Sequence, residues 1–242
     1  MDRYLRPCMA EMIGTFFLCF ITAGAICTDA MNKGALGLVG IALAYGLILS
    51  LAVTATVKAS GSHLNPGITI TFWVLGKIDT PQMLFYVLSQ ILGALVAGMF
   101  ITLIFGASAD ALAAGLGTPH ISDKIVNEGM GRFLLATVIE MVMTFVMVFL
   151  FFCTIVDPKG QKVAGFGVGL AAAACYLVGG TLTGAALNPA RYFGLAFWEA
   201  GTKSDFSRLS DFPVYITGPI LGALAAGWLY SNYLMSADQK SS

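Results

Sequence analysis

Charge is what this chain lacks. Only 11% of its 242 residues are Asp, Glu, Lys or Arg, against about a quarter in an ordinary soluble domain. Thirteen basic and thirteen acidic residues cancel, so there is no broad surface of one sign and nothing points to nucleic acid. Histidine is nearly absent. His63 and His120 are the only two, and they are too few and too far apart to suggest a metal site. Five cysteines, at positions 8, 19, 27, 153 and 175, form no Cys-x-x-Cys pair and mostly sit inside apolar runs. They read as small buried hydrophobes, not as a disulfide frame or a metal site. No Ser/His or paired-Asp constellation stands in facing apolar segments, and catalysis needs a nucleophile and a base within reach. No enzyme activity and no cofactor are expected.

What is present is hydrocarbon. The chain is 57% hydrophobic, and a helix of about 20 apolar residues crosses a bilayer. Six such regions occur, roughly 8–28, 35–57, 82–105, 132–155, 163–181 and 213–234. Residues 34–57, 80–109, 163–190 and 212–237 hold no charged residue at all. Arg3 and Arg6 precede the first run as in a signal peptide, but no small-residue cleavage site leads into a soluble domain, so a retained first span is expected. Two shorter apolar stretches remain, about 66–76 and 189–199, and each opens on Asn-Pro. Neither is long enough to cross about 30 Å of hydrocarbon alone. The longest irregular segment is 106–131.

Basic residues orient the chain. With the N-terminus inside, the cytoplasmic side holds Arg3, Arg6, Lys58, Lys77, Lys159, Lys162 and Lys240, and the other side holds Lys33, Lys124, Arg132, Lys203 and Arg208. This small excess follows the positive-inside rule and puts both termini in the cytoplasm.

An internal repeat is more informative. "YVLSQILGALVAG" from Tyr86 matches "YITGPILGALAAG" from Tyr215, an offset of 129. "AEMIGTF" around Glu11 matches "IEMVMTF" around Glu140 at the same offset. Asn65-Pro66 and Asn188-Pro189 are offset by 123. Each half has three spans, an odd number, so the second half enters the membrane from the opposite face. The result is an inverted repeat about an axis in the membrane plane. The expected architecture is an all-α membrane protein: one channel domain over 1–236, with repeat one about 1–105, repeat two about 130–236, and a tail at 237–242.

The two Asn-Pro pairs then have a physical reason. Asn is a preferred N-cap and Pro is favoured at the first helical position. Each pair starts a half-helix, and the two N-termini meet near mid-bilayer with roughly half a positive charge apiece. The loops before them, 58–64 and 182–187, are non-helical at membrane depth, which is tolerated where backbone is buried in protein or lines a wet cavity. Small residues there, Gly61, Ser62, Gly184, Ala185 and Ala186, let carbonyls face a narrow path. A positive centre disfavours cations and protons while a neutral hydrogen-bonding solute passes.

On these motifs the chain resembles the aquaporin (major intrinsic protein) family over essentially its whole length. The resemblance implies six tilted helices plus two half-helices, a pore in each subunit, and a homotetramer in the plasma or inner membrane. It implies that Asn65 and Asn188 are central donors, within the boxes Asn65-Pro66-Gly67 and Asn188-Pro189-Ala190. It places Tyr45, Tyr176, Ala185 and Arg191 at a selectivity filter. Carbonyls of Gly61, Ser62, His63 and Leu64, and of Gly184, Ala185 and Ala186, would form two ladders. Glu11 and Glu140 would brace the loops. The chain departs from the family's usual pattern at Gly67, where Ala is usual, at Tyr176, where water-selective members often have His, and at Tyr192, where glycerol-conducting members usually have Asp. The expected activity is passive water conduction. Facilitated passage of glycerol, ammonia or hydrogen peroxide stands as the alternative, since Ala185 widens the filter while two Tyr narrow it. A coupled transporter also uses inverted repeats and broken helices, but would need ionisable midplane groups that are scarce here.

Overall fold

The computed structural model describes residues 2–125, 128–160, 163–203 and 207–235. The tail expected at 237–242 lies outside the described residues, as do Lys162 and Lys240. Helices α1 (Asp2–Met31), α2 (Gly37–Ser60) and α4 (Thr80–Phe105) form the first half, with the half-helix α3 (Pro66–Val74) between the last two. After the short α5 (Ala109–Ala113), helices α6 (Gly129–Phe151), α7 (Gly165–Gly179) and α9 (Phe212–Leu229) form the second half, with half-helix α8 (Pro189–Lys203) in the matching place. Among the described residues there is no strand.

Among the described residues, five helical segments are long and apolar enough to cross a membrane: Tyr4–Met31, Gly37–Ser60, Thr80–Phe105, Gly129–Val156 and Leu209–Leu234. The fifth expected span, 163–181, is shorter than its apolar run. Its helix α7 has 15 residues, about 22 Å at 1.5 Å per residue. Turns at 180–183 carry the chain onward from there. Helix α2 shows how the sequence divides its faces. Val39, Leu43, Leu47 and Leu51, one turn apart, are exposed, while Tyr45, Leu49, Ala52 and Val53 are buried. That is the pattern of a helix with lipid on one side and protein on the other.

Lipid is as apolar as leucine, so the helices are held by close contact between small residues more than by exclusion of oil. The heaviest packing joins α1 with α4, α2 with α7, and α6 with α9. A Cβ built on Gly93 would stand 2.2 Å from the Met12 carbonyl, and one on Gly222 would stand 2.2 Å from the Met141 carbonyl. Both residues of the first pair reappear in the second at the repeat offset of 129. Gly46 and Gly169 face each other across α2 and α7, each barred from a side chain by the other's carbonyl. All five cysteines are free thiols, with Cys19, Cys27 and Cys175 buried.

Candidate functional site

Asn65 is extended (φ −155°, ψ 123°), and its Oδ1 accepts the Gly67 amide at 2.8 Å, capping α3 with Pro66 at the first position. Asn188 does the same for α8: its Oδ1 accepts from the amides of Ala190 (3.0 Å) and Arg191 (3.4 Å). The amide nitrogens cross over. Asn65 Nδ2 donates to the Leu187 carbonyl at 2.7 Å, and Asn188 Nδ2 donates to the Leu64 carbonyl at 2.8 Å. Each cap therefore also ties its own half-helix to the other half's loop. An NH₂ group has two hydrogens, so each Asn retains one beyond this bond.

The loops before the caps carry matched strain. Gly61 (φ 85°), Ser62 (57°) and Leu64 (49°) are left-handed, and so are Gly184 (74°), Ala185 (40°) and Leu187 (55°), with His63 and Ala186 the exceptions between them. Left-handed residues other than glycine cost roughly 1–3 kcal/mol each and persist where surroundings over-determine them. Here a buried carboxylate does so in each half. Glu11 accepts from the His63 amide (2.9 Å), the Leu64 amide (2.5 Å), the Ser60 hydroxyl (2.6 Å) and Gln90 Nε2 (2.8 Å). Glu140 accepts from the Ala186 amide (3.0 Å), the Leu187 amide (2.8 Å) and the Thr183 hydroxyl (2.6 Å). A tyrosine completes each brace: Tyr86 donates to the Ser60 carbonyl at 2.9 Å and Tyr215 to the Thr183 carbonyl at 2.8 Å. Loop amides that no helix can serve are thus satisfied by side chains.

The four expected filter residues come together. Arg191 is fully buried, and its Nη1 reaches the carbonyls of Ala185 (2.8 Å), Ala186 (3.3 Å) and Gly184 (3.5 Å). Its Nε and Nη2 make no hydrogen bond to the described residues. The guanidinium lies 5.0 Å from the Tyr45 ring centre, a cation–π distance. Tyr45 and Tyr176 meet edge to face at 5.8 Å, and the Tyr45 hydroxyl donates to the Ala186 carbonyl at 3.4 Å. An intramembrane charge is expensive unless partnered. Three carbonyls and one ring face partner this one.

A narrow cavity lies against the two caps, and Tyr45 is part of its lining. Leu18, Leu49, Val53, Ile68, Met147, Phe151 and Val168 form its apolar wall, and Ser62, His63, Leu64, Asn65 and Asn188 its polar one. A wider opening, bordered by Gly61, His63, Phe72, Lys77, Pro158 and Asn232, shares His63 with it. The Leu64 carbonyl takes the Asn188 bond described above, while those of Gly61, Ser62 and His63 accept no hydrogen bond among the described contacts.

The profile of the family described as Major intrinsic protein matches residues 2–230. The chain belongs to the major intrinsic protein family. It is a multi-pass membrane channel for water or small solutes, and not an enzyme. Aquaporin AqpM of Methanothermobacter thermautotrophicus is 34% identical over 96% of this chain and 98% of its own. Aquaporin NIP1-1 of Zea mays is 31% identical over 94% of this chain and 74% of its own. The X-ray structure of the aquaglyceroporin from Plasmodium falciparum shares the fold, with a TM-score of 0.82 at 23% identity, covering 96% of this chain and 97% of that one.

Several residues of this major intrinsic protein's site escaped the sequence reading. Ser60, Thr69, Tyr86, Gln90, Thr183 and Tyr215 are polar, and none was singled out for a role. The repeat itself held the signal for four of them. Tyr86 and Tyr215 open its longest match, and Ser60 and Thr183 each stand five residues before a capping Asn. Gln90 had no such signal, because its repeat partner is Pro219. His120 lies 2.9 Å from Glu199, a pairing across 79 residues of chain that no local pattern announces.

Proposed function

We propose that this channel conducts water in single file and excludes protons and ions. In this reading Asn65 and Asn188 each offer the remaining amide hydrogen to a water oxygen at mid-membrane. Pro66, Gly67, Pro189 and Ala190 form the first turns whose dipoles make that point positive. Carbonyls of Gly61, Ser62 and His63 on one side, and of Gly184, Ala185 and Ala186 on the other, accept from passing water. A chain of waters reversed in direction at the centre cannot relay a proton, and a cation meets positive ends from both sides. Tyr45, Tyr176, Ala185 and Arg191 form the filter. The protein lies in the plasma or inner membrane as a homotetramer with both termini cytoplasmic, so the Glu11 half faces the cytoplasm and Arg191 the outside.

The observation that carries the choice of water over larger solutes is the packing of three large side chains in one place. Tyr45 and Tyr176 pack edge to face while Arg191 lies over the Tyr45 ring. Bulk from two rings and a guanidinium outweighs the space that Ala185 concedes, because the rings approach from helices α2 and α7 while Ala185 offers only a methyl from the loop between α7 and α8. Stopped-flow light scattering on proteoliposomes tests this. Vesicles are challenged first with an impermeant osmolyte, then with glycerol. Fast shrinkage with slow glycerol entry is the expected result. Glycerol entry at a comparable rate gives the function to the neutral-solute alternative.

A further inference from the structure

We propose that Gln90 and Thr69 are positioning residues that lock His63 in its Nε2–H tautomer, so that the ring offers a hydrogen-bond donor to water where the wide opening narrows into the central path. The consequence for flux rests on the water-channel reading above. The proton inventory does not.

The inventory starts at Glu11. Its carboxylate takes two backbone amides, which are obligatory donors, and the Ser60 hydroxyl, whose own oxygen receives the Ser62 amide at 3.0 Å. A carboxylate accepts only, so Gln90 must turn its nitrogen to it, at 2.8 Å. Turned the other way, the amide would set its oxygen against the carboxylate. The structure leaves Gln90 Oε1 buried without a hydrogen bond to the described residues, which is tolerable only because the nitrogen end is fully used. The second amide hydrogen goes to Thr69 Oγ1, also at 2.8 Å. Thr69 Oγ1 is therefore an acceptor in that bond, and its proton must go elsewhere. Thr71 shows the ordinary helical outlet, donating to the Gly67 carbonyl at 2.8 Å. Thr69 makes no such bond among the described contacts. The acceptor within its reach is His63 Nδ1, at 3.1 Å. A neutral imidazole whose Nδ1 accepts carries its hydrogen on Nε2.

The ring is also held in place. It packs at 4.2 Å on Phe72 and edge to face at 5.3 Å on Tyr86, which leaves Nε2 beside Gly61. His63 borders both the narrow cavity and the wide opening. The donor thus stands at the junction of the two. The second half has no such device. The positions related by the repeat are Ala186 for His63, Tyr192 for Thr69 and Pro219 for Gln90. There the donor role falls to Arg191, whose Nε and Nη2 make no hydrogen bond to the described residues. Water then meets a donor near each end and amide donors at the centre, with carbonyl acceptors between.

Solid-state ¹⁵N NMR of histidine-labelled protein in lipid bilayers reads the tautomer directly. The chain has only two histidines, and a His120→Gln variant assigns the signals. At neutral pH His63 is expected to show protonated Nε2 and bare Nδ1. Thr69→Val removes the hydroxyl while keeping the shape. It should release the ring into a mixture of tautomers and lower osmotic permeability about threefold to tenfold, the range one lost neutral hydrogen bond spans. Thr69→Ser should restore both. A wild-type spectrum with protonated Nδ1 overturns the proposal without any variant, and so does a Thr69→Val spectrum identical to wild type. The expected tautomer in a protein that passes no water upholds the lock and overturns the channel reading instead.

Discussion

Glu11 and Glu140 grip their loops through the same three donors: two consecutive backbone amides and one hydroxyl five residues before a capping Asn. The surroundings then diverge. The Glu11 half adds Gln90, Thr69 and a histidine ring. The Glu140 half has Tyr192 stacked on Tyr215 at 4.2 Å and a buried arginine over Tyr45. What is shared is what the fold needs, because both halves must hold left-handed loop residues at membrane depth. What differs is the set of side chains around each loop. One half presents a neutral ring and the other a fixed charge. The repeat carries the braces in both halves, and differences at a few positions make the two halves chemically unlike.

Breaking the braces should give the largest effect. Glu11→Ala and Glu140→Ala each leave buried donors with no acceptor, a loss of about 3–5 kcal/mol by the scale of a broken buried charge interaction. Glu11→Ala is expected to be the worse, since four described donors converge on it and three on Glu140. Thermal unfolding in detergent, followed with a thiol-reactive dye, measures both, because three of the five cysteines are buried. Equal melting points would mean that Gln90 adds nothing to the first brace.

Asn65→Asp and Asn188→Asp come next. Each keeps the cap acceptor and loses the donor to the opposite Leu carbonyl, at about 1–3 kcal/mol for the carbonyl left behind. Both should also slow water and admit cations, since a carboxylate reverses the sign of the centre. Osmotic shrinkage and sodium-dependent dye leak in the same vesicles check this. Loss in one variant alone would show that the two crossed bonds are not equivalent.

Arg191→Val tests the half with the fixed charge. It removes the guanidinium from the carbonyls of Gly184, Ala185 and Ala186, and glycerol entry should rise about tenfold or more, the scale on which lost pocket bulk relaxes discrimination. Unchanged glycerol entry would move the size limit to the two tyrosines.

The smallest effect belongs to the one box difference. Gly67→Ala recovers up to about 1 kcal/mol of helix propensity. Its Cβ would stand 3.2 Å from both Asn65 Oδ1 and the Pro219 carbonyl, so the gain should be cancelled and the melting point should stay near wild type. Ala190→Gly, in the matching box, should lower stability by about 1 kcal/mol. A clearly stabilised Gly67→Ala would show that α9 can yield at Pro219.

Much of this molecule was legible in one dimension. Hydropathy gave the membrane class, since runs such as 80–109 leave no other solvent for their side chains. The 129 offset linked Glu11 to Glu140, and Asn-Pro marked both half-helix starts, because capping is local chemistry written in adjacent residues. The length of α7 was not legible, since its uncharged run continues past Gly179 into turns that hold no charge either.

Sequence alone, then, determined the membrane class and the two capped half-helices. Tertiary structure alone decided the crossed bonds between Asn65 and Leu187 and between Asn188 and Leu64, each joining residues more than 120 positions apart. It also decided the meeting of Gln90, Thr69 and His63, and the seating of Arg191 over Tyr45. The physical reason is reach. Hydropathy and capping act within a few residues of chain, whereas a hydrogen bond between distant loops exists only once the helices have packed closely enough to bring them together.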